Sequence, residues 1–480
     1  MSSVGLDGKS TGKSPGKIRK SKQTRHRTRK LAALLCCFFA TVAAAQDLTI
    51  TQVVKLALES YPQTRINEEQ VKAAAAGVQL ARLAYLPKAD AIAQVNRATR
   101  NNVYGMVLQQ QVISPISGPP LAANAGTNVW GTALGFLVAW EPFDFGLRRA
   151  TVSVSESSQR KAEASLKRTR FEVAAMAADS YLTLLASEQA LETSLAGRER
   201  LVTMERIVRS LVDSGLRPGM DLSRTQAERA AIENQIIQSR AAVEIARTGL
   251  AQFLNQPADG LKIARQHFLE PTALLDQNAD LKLHPAAVEQ GFAQQESQAR
   301  LKVLERSYYP KFNTQATMYA RGTGANPDFT TGGAFSGLGP NIYNWGVGFS
   351  MTYSLMDLPG LRIRKEIEVS RGRAEQARYD QLVRDLSTQR LKAQTQVKTA
   401  LELSKNTPLQ LKAAKELRAQ AEARYQAGLI PVLEVADAER TLIAAEIDDR
   451  LARLGIWRAQ LGLAIAQGDI TEFLAEAEKP

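Results

Sequence analysis

The chain has 480 residues, room for a large core or several domains, and a formal net charge of +13. That charge is local: residues 1–30 hold ten Lys or Arg against Asp7 alone, and the rest carries 51 basic and 47 acidic residues, a net +4. A broad nucleic-acid-binding surface is therefore excluded, and because the two cysteines are Cys36 and Cys37, so is any disulfide or cysteine metal site beyond residue 45.

The basic leader runs into a short apolar stretch, LAALLCCFFATVAAA, that closes on Ala43 and Ala45 before Gln46. It is too short to span a bilayer as a helix, and its A-x-A ending predicts a secretory signal over residues 1–45. Leu34 and Leu35 stand before Cys36 where a lipoprotein signal needs a small residue, which argues against lipidation. The Gly8, Gly12, Lys13, Ser14 run is one residue short of a phosphate loop and follows no strand, so it reads as leader. No later stretch is apolar enough for a membrane helix.

The first half, residues 46–255, opens with a short helix after Thr49 or Thr51 that Pro62 ends, and a second helix to about Leu83. Tyr85, Pro87 and Lys88 then stop the helix and start a strand, since proline removes a donor and extends its predecessor. A β-hairpin is predicted over about 89–140, around a Gly/Pro-rich loop at 114–126. Its second strand alternates Trp130, Thr132, Leu134, Phe136, Val138 and Trp140 with Gly131, Ala133, Gly135 and Ala139. From 147 the period changes to three, four or seven (Val173, Ala177, Tyr181, Leu184, Leu191, Leu195, Val202), predicting one long helix over 147–213. A return helix over 219–254 follows the turn at Gly215 and Pro218.

Residues 256–284 are an irregular joint, and residues 285–470 repeat the plan. A helix over 285–307 leads to a hairpin at about 312–355, a long helix over 361–427 seamed by Leu382, Leu386, Ala393, Val397 and Ala400, a turn at Gly428 and Pro431, and a return helix over 432–466. Residues 471–480 are a C-terminal tail. Pro408 falls inside the second long helix and predicts a kink or restart capped by Asn406 or Thr407. Pro62, Tyr85, Pro87 and Lys88 meet Pro285, Tyr308, Pro310 and Lys311 at a shift of 223, while Asp144, Arg160, Gly215, Pro218, Glu233 and Leu250 meet Asp357, Arg373, Gly428, Pro431, Glu446 and Leu463 at a shift of 213. Matches kept in order mark a tandem duplication, with ten residues lost from a loop.

The strand at 342–355 carries the most information. Tyr343, Trp345, Val347, Phe349, Met351, Tyr353 and Leu355 alternate with Asn344, Gly346, Gly348, Ser350, Thr352 and Ser354. Aromatics at both ends of an apolar row, with small or hydroxyl residues opposite, fit a strand between lipid and a watery lumen, of roughly the 9 to 11 residues such strands need. A secreted chain with membrane strands and no membrane helix points to the outer membrane of a Gram-negative cell. Four strands cannot close a barrel, and an open edge in lipid leaves backbone groups unsatisfied, so the chain must share its barrel: two copies give eight strands, three give twelve.

The duplicated helix-hairpin-helix plan, the Tyr-x-Pro-Lys before each first strand, W-x-x-F-D-x-G at Trp140 to Gly146 and G-x-x-P-x-x-[DE]-[VL] at both helical turns resemble the TolC-type outer-membrane efflux protein family across residues 47–470. The resemblance implies a mainly α fold with a membrane β-hairpin pair: a homotrimer whose four strands per chain make a shared twelve-stranded barrel, continued by a tunnel of long antiparallel coiled-coil helices. It implies a passive duct, not an enzyme, gripped by a periplasmic adaptor and served by an inner-membrane pump of RND, ABC or MFS type, for efflux or type I secretion.

Carried over by motif, Gly215, Leu216, Pro218, Gly428, Leu429 and Pro431 are the adaptor-contacting tips, and Glu434 and Asp437 ring the constriction. Asp221, Tyr425 and Arg453 match gate-network positions. Where the family's best-known member has a basic residue two places after the second turn's glycine, this chain has Ile430, and Arg217 occupies that place in the first turn. The expected lipid-facing set is Trp130, Phe136, Trp140, Tyr343, Trp345, Val347, Phe349 and Tyr353. His267 and His284 lie in the joint without ligand spacing and are expected at the surface; no cofactor motif stands out. The competing reading is a periplasmic or surface coiled-coil protein without a channel.

Overall fold

The computed structural model describes residues 47–102, 118–264, 268 and 280–479. The leader, both cysteines, His267 and part of the first Gly/Pro-rich loop lie outside these. Helix α1 (Ile50–Ser60) opens on a capping box: the Gln52 amide donates to Thr49 Oγ1 (3.3 Å), and the Thr49 amide donates to Gln52 Oε1 (3.1 Å). Tyr61 interrupts the helical path, and Pro62 starts α2 (Pro62–Leu83) at the position where a missing amide costs nothing. Four strands follow in two hairpins, β1 (Lys88–Thr99) with β2 (Asn128–Phe143) and β3 (Lys311–Thr323) with β4 (Ile342–Thr352).

They form one antiparallel sheet in the order β1-β2-β3-β4, so the two hairpins, distant in sequence, join through β2 and β3. Its edges, β1 and β4, are both open. The first hairpin leads into α3 (Leu147–Asp213) and α4 (Gly219–Leu254); α5 (Pro285–Arg306) opens the second half, whose hairpin leads into α6 (Leu358–Gln426) and α7 (Val432–Gln467). At roughly 1.5 Å per residue, the 67 residues of α3 and the 69 of α6 each extend about 100 Å.

The largest core lies midway along α3. Val173, Ala177, Tyr181, Leu184 and Leu185 meet Val53 and Ala57 of α1, Leu250 and Leu254 of α4, and Trp457 and Leu461 of α7. Residues 471–477, expected as tail, form α8 (Thr471–Ala477), whose fully buried Phe473 packs edge-on against Trp457 (6.1 Å between rings). Elsewhere α3/α4 and α6/α7 touch through narrow seams of Ala, Val and Leu, such as Ala393 and Val397 against Ala459 and Leu463.

Two expectations, a helix restart at Pro408 and a superficial His284, fail for one reason, local signals overridden by packing. The chain runs as continuous helix through Pro408; neither Asn406 nor Thr407 is a cap. Thr407 is buried and its hydroxyl donates to Asp449 on α7 (3.2 Å), and contacts of Ala393, Val397 and Ala414 with α7 hold the path on both sides of the proline. His284 is buried, not superficial: its Nδ1 accepts the Ala286 amide (3.2 Å) at the start of α5, Nε2 faces the Ile465 carbonyl (3.3 Å), and Phe171 packs edge-on against the ring.

Those contacts require neutral imidazole with its proton on Nε2. Burial pushes the His284 pKa below its ordinary 6.5; the Ile465 carbonyl bond works the other way, Arg168 adds to the depression and Glu172 opposes it. A histidine depressed in the fold contributes stability that is present above its unfolded value and is lost as pH falls through 6.5 toward the folded value. The thermal midpoint of the detergent-extracted protein should therefore fall between pH 7.5 and 5.5, and His284→Asn, which keeps a cap acceptor and cannot titrate, should flatten that part of the profile. Equal slopes for both proteins would remove His284 as the cause.

Candidate functional site

The register puts one face of all four strands together. Val138, Phe136 and Leu134 of β2 lie between Ala89, Ala91 and Ala93 of β1 and Ala316, Met318 and Ala320 of β3, which in turn face Val347, Trp345 and Tyr343 of β4. This face is exposed in the single chain, Trp345 by 81% and Val347 by 71%. Phe136, Trp140, Tyr343, Phe349 and Tyr353 are likewise exposed. Trp130 is half-buried, with the Arg97 guanidinium 5.2 Å over its ring. Thr132, in the same row, is covered by the β3–β4 loop. The opposite face carries Asp90, Gln94, Asn96, Gln315, Arg321, Asn344 and Ser350 among small residues, together with an apolar cluster of Ile92, Leu137 and Tyr319 around Ala133.

At the helical end of the sheet, aromatic rings gather: Phe145 stacks on Tyr309 (5.0 Å) and Phe312 on Phe349 (5.7 Å). The W-x-x-F-D-x-G motif there is a joint between strand and helix. Trp140 Nε1 donates to the Tyr85 carbonyl (3.2 Å), Asp144 accepts the amides of Gly146 (3.1 Å) and Arg148 (2.6 Å) and the Arg148 guanidinium (2.9 Å), and Gly146 takes φ +86°. Orphan amides at the start of α3 are thus satisfied, and the long helix leaves the sheet at a fixed angle.

At the far end, both turns close alike. The Gly215 amide donates to the Val212 carbonyl (3.0 Å) and Leu216 to Leu211 (2.9 Å); Gly428 donates to Tyr425 (3.0 Å) and Leu429 to Arg424 (2.9 Å). With φ of +72° and +77°, Gly215 and Gly428 take the left-handed position that ends a helix in a Schellman motif, and Pro218 and Pro431 immediately precede the return helices. Leu216 and Leu429 point outward, 71% and 70% exposed.

Between the turns lies a latch whose partners are remote in sequence. Arg217 Nη2 donates to the Tyr425 carbonyl (2.9 Å) at the end of α6, and its guanidinium stands 4.7 Å over the Tyr425 ring. Tyr425 and Asp221 are both buried; burial raises the Tyr425 hydroxyl pKa, the Asp221 charge adds to this and Arg217 opposes it. Ile430 is buried with Val208, Val432 and Val435. Glu434 is exposed, and Asp437 is exposed with Arg440 at 3.9 Å. Arg453 is not brought to this cluster: it lies 19 residues beyond Glu434 on α7 by sequence number, or about 28 Å along the helix, and pairs there with Asp449 (3.0 Å).

Sequence reasoning missed the charged ties between the two coiled coils. Glu228 of α4 takes Arg440 of α7 through both oxygens (2.8 Å each), and Glu439 accepts from Arg200 of α3 and Arg418 of α6. Charges of opposite sign on helices far apart in the chain gave no local signal. Among the described residues no group of three or more His, Cys, Asp or Glu could hold a metal ion, and no helix is long and apolar enough to cross a membrane.

The family model of outer membrane efflux proteins matches residues 53–256 and 274–469. The chain belongs to this outer membrane efflux protein family. Its fold is similar to that of the outer-membrane channel OprN (22% identity, TM-score 0.70, covering 87% of this chain and 89% of that one). It also resembles the outer membrane protein VceC of Vibrio cholerae (17%, TM-score 0.72, 88% and 97%) and the MtrE outer membrane channel of Neisseria gonorrhoeae, solved in its open state (16%, TM-score 0.69, 88% and 89%). No curated protein matches the sequence. As an efflux-family channel protein it is a transport duct and not an enzyme, and such channels are homotrimers that work with an adaptor and an inner-membrane pump.

Proposed function

We propose that three copies of this efflux-family chain close edge to edge, β4 of one on β1 of the next, into a twelve-stranded barrel in the outer membrane, continued into the periplasm by twelve helices. The observation that carries this is the apolar face continuous across all four strands of a sheet with two open edges. Such edges are intolerable in hydrocarbon unless paired, and each chain supplies one partner for each. Residues 1–45 act as a secretion signal. Trp130, Phe136, Trp140, Tyr343, Trp345, Val347, Phe349 and Tyr353 face lipid, with aromatic rings toward both rims.

The tips at Gly215, Leu216, Pro218, Gly428, Leu429 and Pro431 receive a periplasmic adaptor, because two exposed leucines beside rigid turns form an apolar foothold. The adaptor links the duct to a pump of the RND, ABC or MFS type. Purification tests the assembly: a heat-modifiable trimer in detergent extracts of outer membranes is expected, and a stable, folded monomer in detergent-free buffer would end this reading.

Glu434 and Asp437, exposed near the tips, ring the closed constriction, six carboxylates in three copies, with Asp221 and Tyr425 holding the wall behind them. Arg453 acts higher in the tunnel, through Asp449. Replacing both Glu434 and Asp437 by their amides should shift the reversal potential in a salt gradient toward zero cation preference in planar bilayers. An unchanged reversal potential would leave the two carboxylates as helix-end charges only.

A further inference from the structure

We propose that the β3–β4 loop, residues 324–340, is a collar that lies on the outside of the barrel and buries its apolar side chains among acyl chains of the outer leaflet, not a cover over the mouth. The inference rests on the lipid-facing reading of the sheet given above. Thr132 pairs with Gly322, next to Leu134 and Ala320, and so belongs to the apolar row. Its hydroxyl donates to the Gly337 carbonyl (2.6 Å), which places the returning part of the loop on the apolar face.

The fit is close enough to fix that position. A Cβ on Gly322 would stand 2.0 Å from the Gly339 carbonyl oxygen, and one on Gly337 would stand 2.2 Å from the Trp130 carbonyl oxygen, so backbone lies directly on backbone. Gly337 also takes φ +93°, a conformation that side chains resist. The Gly324 amide donates to Trp130 (2.9 Å), Gly332 to Gly324 (2.8 Å) and Asn341 to Arg321 (2.9 Å), and the Arg100 guanidinium reaches the Phe329 carbonyl. Contacts with Trp130, Thr132 and Arg100 thus tie this glycine-rich stretch to the sheet at three points, and the Asn341–Arg321 bond closes its base.

Pinned in this way, the loop still presents Phe335, Phe329 and Leu338 outward, Phe335 at 77% exposure. A neighbouring protomer is not the occupant at Phe335 and Leu338: the Gly337 part of the loop sits on Thr132 and Trp130 of the interior strand β2, whereas in the proposed trimer protomers meet through β1 and β4; Phe329 instead reaches the end of β1 through Arg100. What remains beside these side chains is the medium that bathes Tyr343 and Trp345 of the same face, and the chemistry that fits Phe and Leu there is hydrocarbon.

Site-directed spin labelling tests the placement on the chain processed after residue 45, which has no cysteine of its own, with single cysteines introduced as Phe335→Cys, Leu338→Cys, Val347→Cys and Glu69→Cys. The full trimer is reconstituted in phosphatidylcholine vesicles, and nitroxide collision rates are compared for oxygen, which concentrates in hydrocarbon, and a water-soluble nickel chelate. Labels at 335 and 338 should favour oxygen several-fold, as at 347, while the label on exposed Glu69 of α2 favours nickel. If 335 and 338 behave like 69 while 347 remains in lipid, the collar is wrong and the barrel reading stands. If 347 itself favours nickel, the lipid-facing assignment fails and the collar with it. Trimer on an unheated gel confirms that each variant is folded.

Discussion

Val347→Arg should abolish assembly of the trimer. Val347 is the central residue of β4, opposite Ala316 and flanked on its own face by Trp345 and Phe349, and it is 71% exposed in the single chain. A guanidinium facing lipid near mid-membrane costs about 2 to 4 kcal/mol per copy, and a trimer incurs that cost three times. Asn344→Arg is the matching control, because Asn344 projects from the opposite face of the same strand, where a lumen supplies water. Trimer yield from detergent-extracted membranes should vanish for the first variant and stay near the parent for the second. Equal yields would mean that the two faces of the sheet meet the same solvent.

The second large effect is expected from Arg217→Ala. It removes one charge-assisted hydrogen bond to the Tyr425 carbonyl and the cation over the Tyr425 ring, the contacts by which the first turn holds the end of α6. With the guanidinium only half-buried, the loss is about 1 to 3 kcal/mol per protomer, taking both contacts together. The tips should loosen and the basal conductance in planar bilayers should rise, by several-fold if the latch limits opening. Arg217→Lys keeps charge but loses the planar stack and should fall between parent and Ala. Unchanged conductance in Arg217→Ala would show that the resting constriction does not depend on this tie. In this chain the basic residue comes from the first turn, and Ile430 of the second turn is free to pack inside the tip beside Val432 and Val435.

How far the sequence reached depended on whether the cause of a feature was local. The alternation at 342–352 was legible because successive side chains of a strand point to opposite faces, so a sheet with unlike faces writes a period of two into neighbouring residues. The long helices and their ends were legible because a Gly at the left-handed stop and a Pro before the next helix act within a few residues. Pro408 misled because its local penalty is real, and only the packing of α6 on α7 shows why the helix survives it. His284 misled because burial is a property of what wraps around it, here α3 and the end of α7.

The sequence by itself determined the two-faced sheet, the four long helices and the positions where they turn, since these follow from side-chain periodicity and backbone restrictions of neighbouring residues. Only the tertiary structure decided which remote groups meet: Arg217 with Tyr425, Glu228 with Arg440, the glycine loop with the apolar face of β2 and β3. Such pairings depend on the register of elements some two hundred residues apart, and that register is set by the summed fit of many weak contacts, no one of which is written in a local pattern.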